Sequence, residues 1–279
     1  MSKGSRWLVA TGDLHVGSPV ALCPPRFEFD DGGLYQRNTL QDWLWDGWLK
    51  CWADAKKLIG REPWEFLCNG DLIEGDHHRN KQVITTVIGC QIRAAMDCLD
   101  VPLAMKPRRI HLVRGTEAHV GTDTEEGIAR QLRKNGHRVV KDPDTGMATS
   151  QWRRFRMGGK LVEARHHGRM GQRAHTRASY SRLYAFDIWA NHTLDGDEPP
   201  ALSIRSHHHR FMDSGPDHRG VTRVVTLPAW QMLTSFVHRI ASEEMPWPGV
   251  VVFRVDERGV EVFDLLHKPA RPTVIGEVA

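Results

Sequence analysis

The sequence predicts an α/β fold, because a strand, a polar loop and a helix follow one another three times in its first half. Residues 6–11, 65–68 and 109–113 are short apolar runs of the kind found in buried strands. Each run is followed by a polar loop and then by apolar residues at helical spacing. This alternation is typical of a sheet covered by crossover helices, and we expect that architecture here.

The composition is that of an ordinary globular protein of 279 residues, 40% hydrophobic and 26% charged. We expect one domain at 1–267 and a C-terminal tail at 268–279, since no Pro/Gly/Ser-rich linker divides the chain. No apolar run approaches the ~18 residues of a membrane-spanning helix, and no signal-peptide core precedes the first strand. The five cysteines are scattered without a CxxC pair, which favours reduced thiols in the cytoplasm over a zinc ribbon. The net charge of +4 permits an anionic substrate without requiring one.

Apolar spacing and turn residues place the other elements. Helices are predicted at 36–58, 81–99, 124–134 and 170–191, and further strands at 160–165, 201–205, 221–227, 250–255 and 260–265. Four of the ten tryptophans lie between positions 43 and 52. A surface that stacks nucleic-acid bases is one interpretation of this cluster. The helical period of the segment favours instead a helix that packs on a sheet.

Side chains that can ligate metals follow five of the predicted strands. They are Asp13 and His15, then Asp71, then the segment from Thr116 to His119, then His167, then His207 and His209. Residues two apart on an extended chain share a face, so Asp13 and His15 could hold one ion, and His207 and His209 present two imidazoles on one face. A single Gly-Asp at a strand end is more often a turn. Five such strand ends, in a chain with sixteen histidines, favour a metal site.

In this order, the motifs resemble those of the calcineurin-like metallophosphoesterases, over roughly residues 6–210. That family's pattern runs Asp-x-His, Gly-Asp-x-x, Gly-Asn-His-Asp/Glu, His-Gly and Gly-His-x-His. The segments Gly115-Thr116-x-x-His119-Val120-Gly121 and Leu227-Pro228-Ala229-Trp230-Gln231 also resemble the members carried by bacteriophages and prophages. The resemblance implies a four-layer αββα sandwich of two mixed β-sheets flanked by helices. It also implies a protein of the cytoplasm of a phage-infected or prophage-bearing bacterium.

Carried over to this chain, the resemblance implies a centre of two divalent metal ions. Asp13, His15 and His209 would hold one ion, His167 and His207 the other, and Asp71 would bridge the two. Mn²⁺ is the expected metal, with Fe, Zn²⁺ and Ni²⁺ as alternatives, because mixed carboxylate and imidazole ligands suit such ions. Two ions would clamp a phosphate and activate water for in-line attack, and His119 would protonate the leaving oxygen.

The chain departs from the family pattern at the second metal position. Thr116 replaces the asparagine ligand, and the histidine of that motif falls two residues later. Glu117 could supply a carboxylate ligand instead, or the second site could be weaker. Ser206 stands where the last motif has glycine. No role is implied for His166 and His208, which we expect to pack locally or to support the ligands.

Three arginines follow His167 at four-residue spacing, namely Arg169, Arg173 and Arg177. On a helix at 170–191 they would lie near one face. Such a stripe is usually no more than a solvated face. Its position directly after a candidate ligand favours a substrate-binding role, with the guanidinium groups meeting phosphate oxygens.

The predicted function is a metal-dependent phosphoesterase with a two-metal mechanism, foremost a phosphodiesterase acting on nucleic acid or nucleotides. The arginines and the mild positive charge lean towards such a polyanion, and no membrane partner is expected. A phosphomonoesterase is the alternative among enzymes. A non-catalytic nucleic-acid-binding protein stabilised by metal is the alternative of another class, but such a protein would not need His119 as a proton donor.

Overall fold

The computed structural model describes residues 6–76, 82–121, 123–171, 174–215, 221–235, 238 and 245–269. Its helices are α1 (Thr39–Ile59), α2 (Ile88–Ala104), α3 (Glu117–Val120), α4 (Thr124–Lys134) and α5 (Arg177–Leu194), with a 3₁₀ turn at Ala174–Thr176 before α5. Its strands are β1 (Trp7–Thr11), β2 (Phe27–Glu28), β3 (Leu34–Tyr35), β4 (Trp64–Asn69), β5 (Arg109–Val113), β6 (Thr149–Ser150), β7 (Arg153–Met157), β8 (Lys160–Ala164), β9 (Leu202–Arg205), β10 (Met212–Asp213), β11 (Arg223–Thr226), β12 (Gly249–Asp256) and β13 (Gly259–Leu266).

The strands form two large mixed sheets and a short two-stranded ribbon of β2 and β3. The first sheet has the order β13-β12-β1-β4-β5-β6, and the second has the order β10-β11-β9-β8-β7. β1, β4, β5 and β6 run parallel, β12 pairs antiparallel with β1, and β13 pairs antiparallel with β12. In the second sheet β8, β9 and β11 run parallel, with β7 and β10 antiparallel at the two edges.

The two sheets pack face to face, and helices cover their outer faces. The layer between the sheets is apolar and includes Leu8, Leu67, Val162, Ile204 and Phe253, all fully buried. A second apolar cluster joins α1, α2 and α4 to the first sheet, and α5 packs on β11 of the second. The predicted four-layer αββα sandwich is therefore confirmed.

Helix α1 contains the four clustered tryptophans, and two of them pack in the core. Asn38 caps the helix by accepting a hydrogen bond from the Gln41 amide, and the Gln41 side chain accepts from the Asn38 amide in return. Trp48 and Trp52 are fully buried, and Trp48 Nε1 donates to the Cys98 carbonyl at 3.2 Å. The interpretation of a helix packed on a sheet is confirmed, because these rings have no face left for a nucleic-acid base.

Helix α2 begins at Ile88, seven residues later than the predicted start at 81. The segment before it is held extended by tertiary hydrogen bonds. Ile84 donates its amide to the Gly17 carbonyl at 2.7 Å, and Gln91 Nε2 donates to the carbonyls of Thr85 and Gly75. These bonds compete with helix formation and are invisible in the local pattern.

Helix α5 begins at Arg177 rather than near 170. Gly171 lies close to the first turn of this helix. A Cβ on Gly171 would lie 3.1 Å from Tyr180 Cβ and 3.4 Å from Arg177 Cα, so glycine permits this close approach. The prediction of a continuous helix from 170 is wrong for this reason. The edge strand β7 was not predicted at all.

All five cysteines are buried and unpaired by disulfides, in keeping with the scattered pattern. Within the described ranges, the helices are too short or too polar to cross a bilayer. The single domain at 1–267 stays a prediction, and all but two residues of the predicted tail at 268–279 lie outside the described part.

Candidate metal centre

The candidate ligands lie just beyond the carboxyl ends of four strands. Asp13 and His15 follow β1, Asp71 follows β4, His166 and His167 follow β8, and His207 and His209 follow β9. Ligands collect at this end of parallel strands in open α/β sheets. Both sheets contribute, and Asp13 Oδ1 from one lies 3.7 Å from His166 Nε2 of the other. The fold thus brings six of the seven predicted metal ligands to one place.

The first group consists of Asp13, His15 and His209, whose ligand atoms all lie within 4.8 Å of one another. His15 Nε2 is 3.1 Å from His209 Nε2. Asp13 Oδ1 is 3.9 Å from His15 Nε2 and 3.6 Å from His209 Nε2. Such spacings fit three ligands of one ion, because metal–ligand bonds to these groups are about 2 Å long.

Asp71 faces both groups. Its Oδ2 lies 4.0 Å from His15 Nε2 on one side and 3.0 Å from His166 Nε2 on the other. Its Oδ1 accepts a hydrogen bond from the Thr116 amide at 2.6 Å. Only about 1% of the residue is exposed, so the carboxylate is held in one orientation. This is the position that a bridging ligand needs.

The second group consists of three imidazoles, those of His166, His167 and His207. The sequence predicted only two of them as ligands, and His166 had no assigned role. His166 is buried, whereas His167 and His207 are exposed. Thr116 Oγ1 lies 3.3 Å from His167 Nε2 and 3.4 Å from His207 Nδ1, so the threonine side chain is present at the position of the family's asparagine.

His119 stands beside the first group. Its ring centroid is 4.6 Å from that of His15, and its Nδ1 lies 2.8 Å from the carbonyl oxygen of Glu74. The Glu74 carboxylate lies 3.0 Å from His15 Nδ1 and accepts a hydrogen bond from Gln231 Nε2 at 2.7 Å. Sequence reasoning missed Glu74, although it stands three residues after Asp71 in the same polar loop.

The ligands occupy a backbone conformation that side chains rarely adopt. Among the described residues, six non-glycine residues have left-handed φ values, and five of them are candidate ligands. These are Asp13 (51°), His15 (46°), Asp71 (52°), His207 (72°) and His209 (57°). Asp and His enter this region more readily than most residues, but each instance still carries strain. Clustering of such residues is typical of functional sites.

Asn69 and Ser206 connect the two sheets beneath the ligands. Asn69 Nδ2 donates to Ser206 Oγ at 2.8 Å and to the Arg165 carbonyl at 3.1 Å. A Cβ on Gly12 would lie 2.8 Å from Ser206 Oγ, so the glycine makes room for the hydroxyl. Serine in place of the family's glycine is therefore accommodated and adds an inter-sheet hydrogen bond.

Glu125 of α4 is a buried acid behind the site that the sequence did not reveal. Its Oε2 accepts a hydrogen bond from the Gly115 amide at 2.7 Å, and the carboxyl also accepts from the Leu72 amide. Burial, together with the nearby Asp71 carboxylate, raises the pKa of Glu125 to about 8. The residue thus joins the loop after β4 to the loop after β5.

Burial and the charges of their neighbours shift the pKa values of the groups in the site in different directions. Burial raises the pKa of Asp13 to about 6. Burial opposes ionisation of Asp71 too, but contact with His166 and the charges of nearby histidines lower its pKa. Burial opposes protonation of His166, yet Asp13 and Asp71 raise its pKa to about 9. Burial and the charge of His166 lower the pKa of His207 to about 4, which keeps this imidazole neutral, as a metal ligand must be.

The remaining predicted site residues lie outside the clusters. Glu117 begins α3, is exposed, and belongs to none of the ligand groups found among the described residues. Arg169 precedes α5, is exposed, and places Nη1 4.0 Å from Asp187 Oδ2. Arg177 is the first residue of α5, while Arg173 lies outside the described residues. Because Arg169 is not helical, the prediction of one helical face is wrong for it; the substrate-binding role stays a prediction.

The side chains gathered at this site have the chemistry of metal ligands, as the surroundings of His166 show. His166 Nδ1 lies 2.7 Å from the Asn69 carbonyl oxygen, which requires that Nδ1 carry the proton. The buried Nε2 then faces two aspartates without a hydrogen bond of normal geometry. A buried polar atom in that state is costly unless a further group binds it. Carboxylate and imidazole donors around such an atom suit divalent transition metals.

No protein-family model matches the chain, and no curated protein matches it. Among solved structures, Vps29 of Chaetomium thermophilum aligns with a TM-score of 0.41 and 13% identity, over 94% of this chain and 98% of that one. A hypothetical protein of Pyrococcus horikoshii gives 0.44 and 7%, over 94% and 88%. A novel archaeal phosphodiesterase gives 0.40 and 8%, over 92% and 99%. Similarities at this level assign neither a family nor an activity to the chain.

Proposed function

We propose that the protein is a metal-dependent phosphoesterase of the metallophosphoesterase superfamily that holds two divalent ions. The observation that carries the proposal is the position of Asp71, which faces two separate groups of ligands at once. His119 stands next to the first group, where a proton donor would serve a leaving oxygen. The ordered motifs of the sequence support the same assignment, and their phage-like segments support a phage-type member.

When bound, the two ions would supply a clamp for the phosphate and activation of water. The residues of the chain would set the rest of the geometry. Asp13, His15 and His209 would hold the first ion, and His207 with its neighbouring imidazoles the second. Burial of the aspartates excludes water from their far sides, which strengthens their field at the site.

His119 is suited to proton transfer by its tautomer. A carbonyl oxygen only accepts hydrogen bonds, so His119 Nδ1 carries a proton towards the Glu74 carbonyl. Nε2 is then the nitrogen that would give a proton to the leaving oxygen. A positioned histidine is the side chain that most often transfers a proton in this way.

We favour a phosphodiesterase acting on nucleic acid or nucleotides over a phosphomonoesterase. The support is the net charge of +4 and the arginines at 169, 173 and 177, which follow His167 in the chain. Guanidinium groups form strong paired hydrogen bonds with phosphate, and a polymer offers several phosphates to them.

The test is a turnover panel on protein first freed of metal and then loaded with Mn²⁺ or Zn²⁺. We expect hydrolysis of bis-p-nitrophenyl phosphate and of single-stranded DNA, with slower hydrolysis of p-nitrophenyl phosphate. Faster turnover of the monoester would favour the phosphomonoesterase. Two bound ions without turnover of any substrate would leave the non-catalytic binding protein as the better explanation.

A further inference from the structure

We propose that the imidazole of His166 replaces the missing asparagine amide as a ligand, next to His167 and His207, and makes the second metal position selective for Zn²⁺ over Mn²⁺. The inference rests on the proposed function, because it concerns the ions of the same centre. It goes beyond that function by assigning ligands to a position where the family pattern is broken. It also predicts that the two positions of the centre differ in which ion they prefer.

His166 has the surroundings of a metal ligand. A ligating histidine usually donates its other ring N–H to a carbonyl or a carboxylate, which fixes the tautomer and the ring. His166 does so through Nδ1, 2.7 Å from the Asn69 carbonyl. Its Nε2 lies 3.0 Å from Asp71 Oδ2 and 3.7 Å from Asp13 Oδ1, in a fully enclosed position. The imidazole therefore presents its lone pair where the bridging carboxylate also points.

Thr116 stands where the family has its amide ligand, between the other two imidazoles of the second group. The Thr116 hydroxyl lies 3.3 Å from His167 Nε2 and 3.4 Å from His207 Nδ1. The ring centroids of His167 and His207 are 4.5 Å apart. A neutral hydroxyl is a weaker ligand for a transition metal than an imidazole. The nitrogen of His166 is thus the donor that can complete the group of His167, His207 and Asp71.

The resulting donor sets differ between the two positions. The first would offer two imidazoles and two carboxylates, from Asp13, His15, Asp71 and His209. The second would offer three imidazoles and only the shared carboxylate of Asp71. Imidazole suits Zn²⁺, whereas carboxylate suits Mn²⁺ and Mg²⁺. Four ligands of this kind also match the coordination number that Zn²⁺ prefers in proteins.

A competing explanation is that His166 is a permanent cation that balances the two aspartates. In that case the imidazole would carry protons on both nitrogens, would bind no ion, and would stabilise the site by charge alone. The second metal position would then have His167 and His207 as its imidazoles. The two explanations predict different Zn²⁺ affinities of the second position after removal of His166.

The experiment measures metal binding without substrate. Protein stripped by chelator is titrated with Zn²⁺ and separately with Mn²⁺, by calorimetry and by metal analysis after dialysis. His166→Gln and His167→Gln remove the two imidazoles singly. His208→Gln is the matched control, since it removes the neighbouring imidazole, whose Nε2 lies 2.9 Å from the Gly168 carbonyl and which belongs to no ligand group of the described residues.

We expect the unaltered protein to bind two Zn²⁺ ions, with a higher Zn²⁺-to-Mn²⁺ affinity ratio at one position. His166→Gln and His167→Gln should each weaken that position at least ~10-fold for Zn²⁺, in line with loss of a ligand or its support. His208→Gln should leave both positions unchanged. The double variant Thr116→Asn/His166→Gln restores the family pattern and should bring the ratio towards that of the other position.

Two Zn²⁺ equivalents of unchanged affinity in His166→Gln would overturn the inference, whatever the effect of His167→Gln. An equal loss in His208→Gln would do so as well. Circular dichroism establishes whether each variant is folded. Should His166→Gln not fold, Thr116→Asn alone decides the question: an amide that displaces the His166 imidazole should lower the Zn²⁺-to-Mn²⁺ affinity ratio, and an unchanged ratio would overturn the inference. Failure of the proposed function would look different, because two ions would bind as described while no phosphate ester turned over.

Discussion

Glu74 Oε2 lies 3.0 Å from His15 Nδ1, across the ring from the nitrogen that faces His209. This contact raises the pKa of His15 even though burial opposes protonation. It also fixes the ring so that Nε2 points into the first ligand group. Gln231 donates to the same carboxylate oxygen at 2.7 Å and holds it in place. The orientation of His15, a predicted ligand, thus depends on Glu74, which is not part of the sequence motifs.

Glu74→Gln should lower the affinity of the first position about 10- to 100-fold, because the outer contacts of metal-ligating histidines have effects of that size. Metal titration of the stripped protein measures this. Glu117→Gln is the matched control, since it makes the same charge change at an exposed residue outside the ligand groups. Equal effects of the two variants would show that charge, rather than ring orientation, matters.

Asp71→Asn should abolish turnover and reduce the metal content of the purified protein. The carboxylate faces both ligand groups, and the amide that replaces it carries no charge for either ion. Activity on bis-p-nitrophenyl phosphate and metal analysis test the two effects together. Normal turnover by this variant is incompatible with a shared ligand.

His119→Ala should slow turnover about 10²- to 10⁴-fold on substrates with poor leaving groups, which is the usual range for general acid catalysis. The loss should be smaller with nitrophenolate, which leaves without protonation. Metal content should stay normal, because the role is proton donation. An equal loss on good and poor leaving groups would instead point to a structural or ligating role.

Replacement of Arg169, Arg173 and Arg177 together by Gln should raise the KM for single-stranded DNA and reduce its dependence on salt, because fewer phosphate contacts release fewer counterions. Hydrolysis of bis-p-nitrophenyl phosphate should be nearly unchanged, since so small a diester does not reach them. The matched control replaces Arg61, Arg130 and Arg133, which are exposed in the turn after α1 and in the second half of α4. If both triple variants weaken DNA binding alike, only net charge is involved.

Glu125 should give the metal-free protein a distinctive pH dependence. Its pKa is raised from 4.5 to about 8, so between these values the folded protein retains a proton that the unfolded chain has lost. The unfolding free energy should therefore fall as pH rises through that window, by up to about 1.4 kcal/mol per unit. Denaturation of the protein and of Glu125→Gln in chelator, from pH 5 to 8, isolates this contribution. If the unfolding free energies of the two proteins changed with pH in the same way, the proposed contribution of Glu125 would be contradicted.

The sequence predicts much of the site because its ligands come directly after strands with clear apolar runs. Asp13, Asp71 and His207 could be placed from residue type and position alone, since a strand end fixes where the next few residues lie. Helix α4 was predicted with its observed limits, Thr124–Lys134, because no tertiary contact overrides its local pattern.

Other features could not be predicted because they depend on distant contacts. The late start of α2 follows from hydrogen bonds to Gly17 and Gly75, and that of α5 from the approach of Gly171 to Tyr180. The position of His166 required knowledge of where the Asn69 carbonyl lies, 97 residues earlier. The spacing of apolar residues along the chain does not show which distant residues contact one another.

The left-handed backbone at five candidate ligands lowers the stability of the fold, whereas the side chains at these positions are needed to bind metal. Each such residue costs about 1–3 kcal/mol relative to a relaxed conformation, whereas glycine enters the region without strain. Glycine at Asp13 or His209 should thus give a chain that folds more stably than the alanine variant, yet lacks the ligand. A sequence optimised for thermal resistance alone would drift towards glycine at these positions. Attempts to stabilise this protein by consensus or by screening for heat tolerance should therefore keep all five fixed, because there the most stable sequence and the working sequence differ.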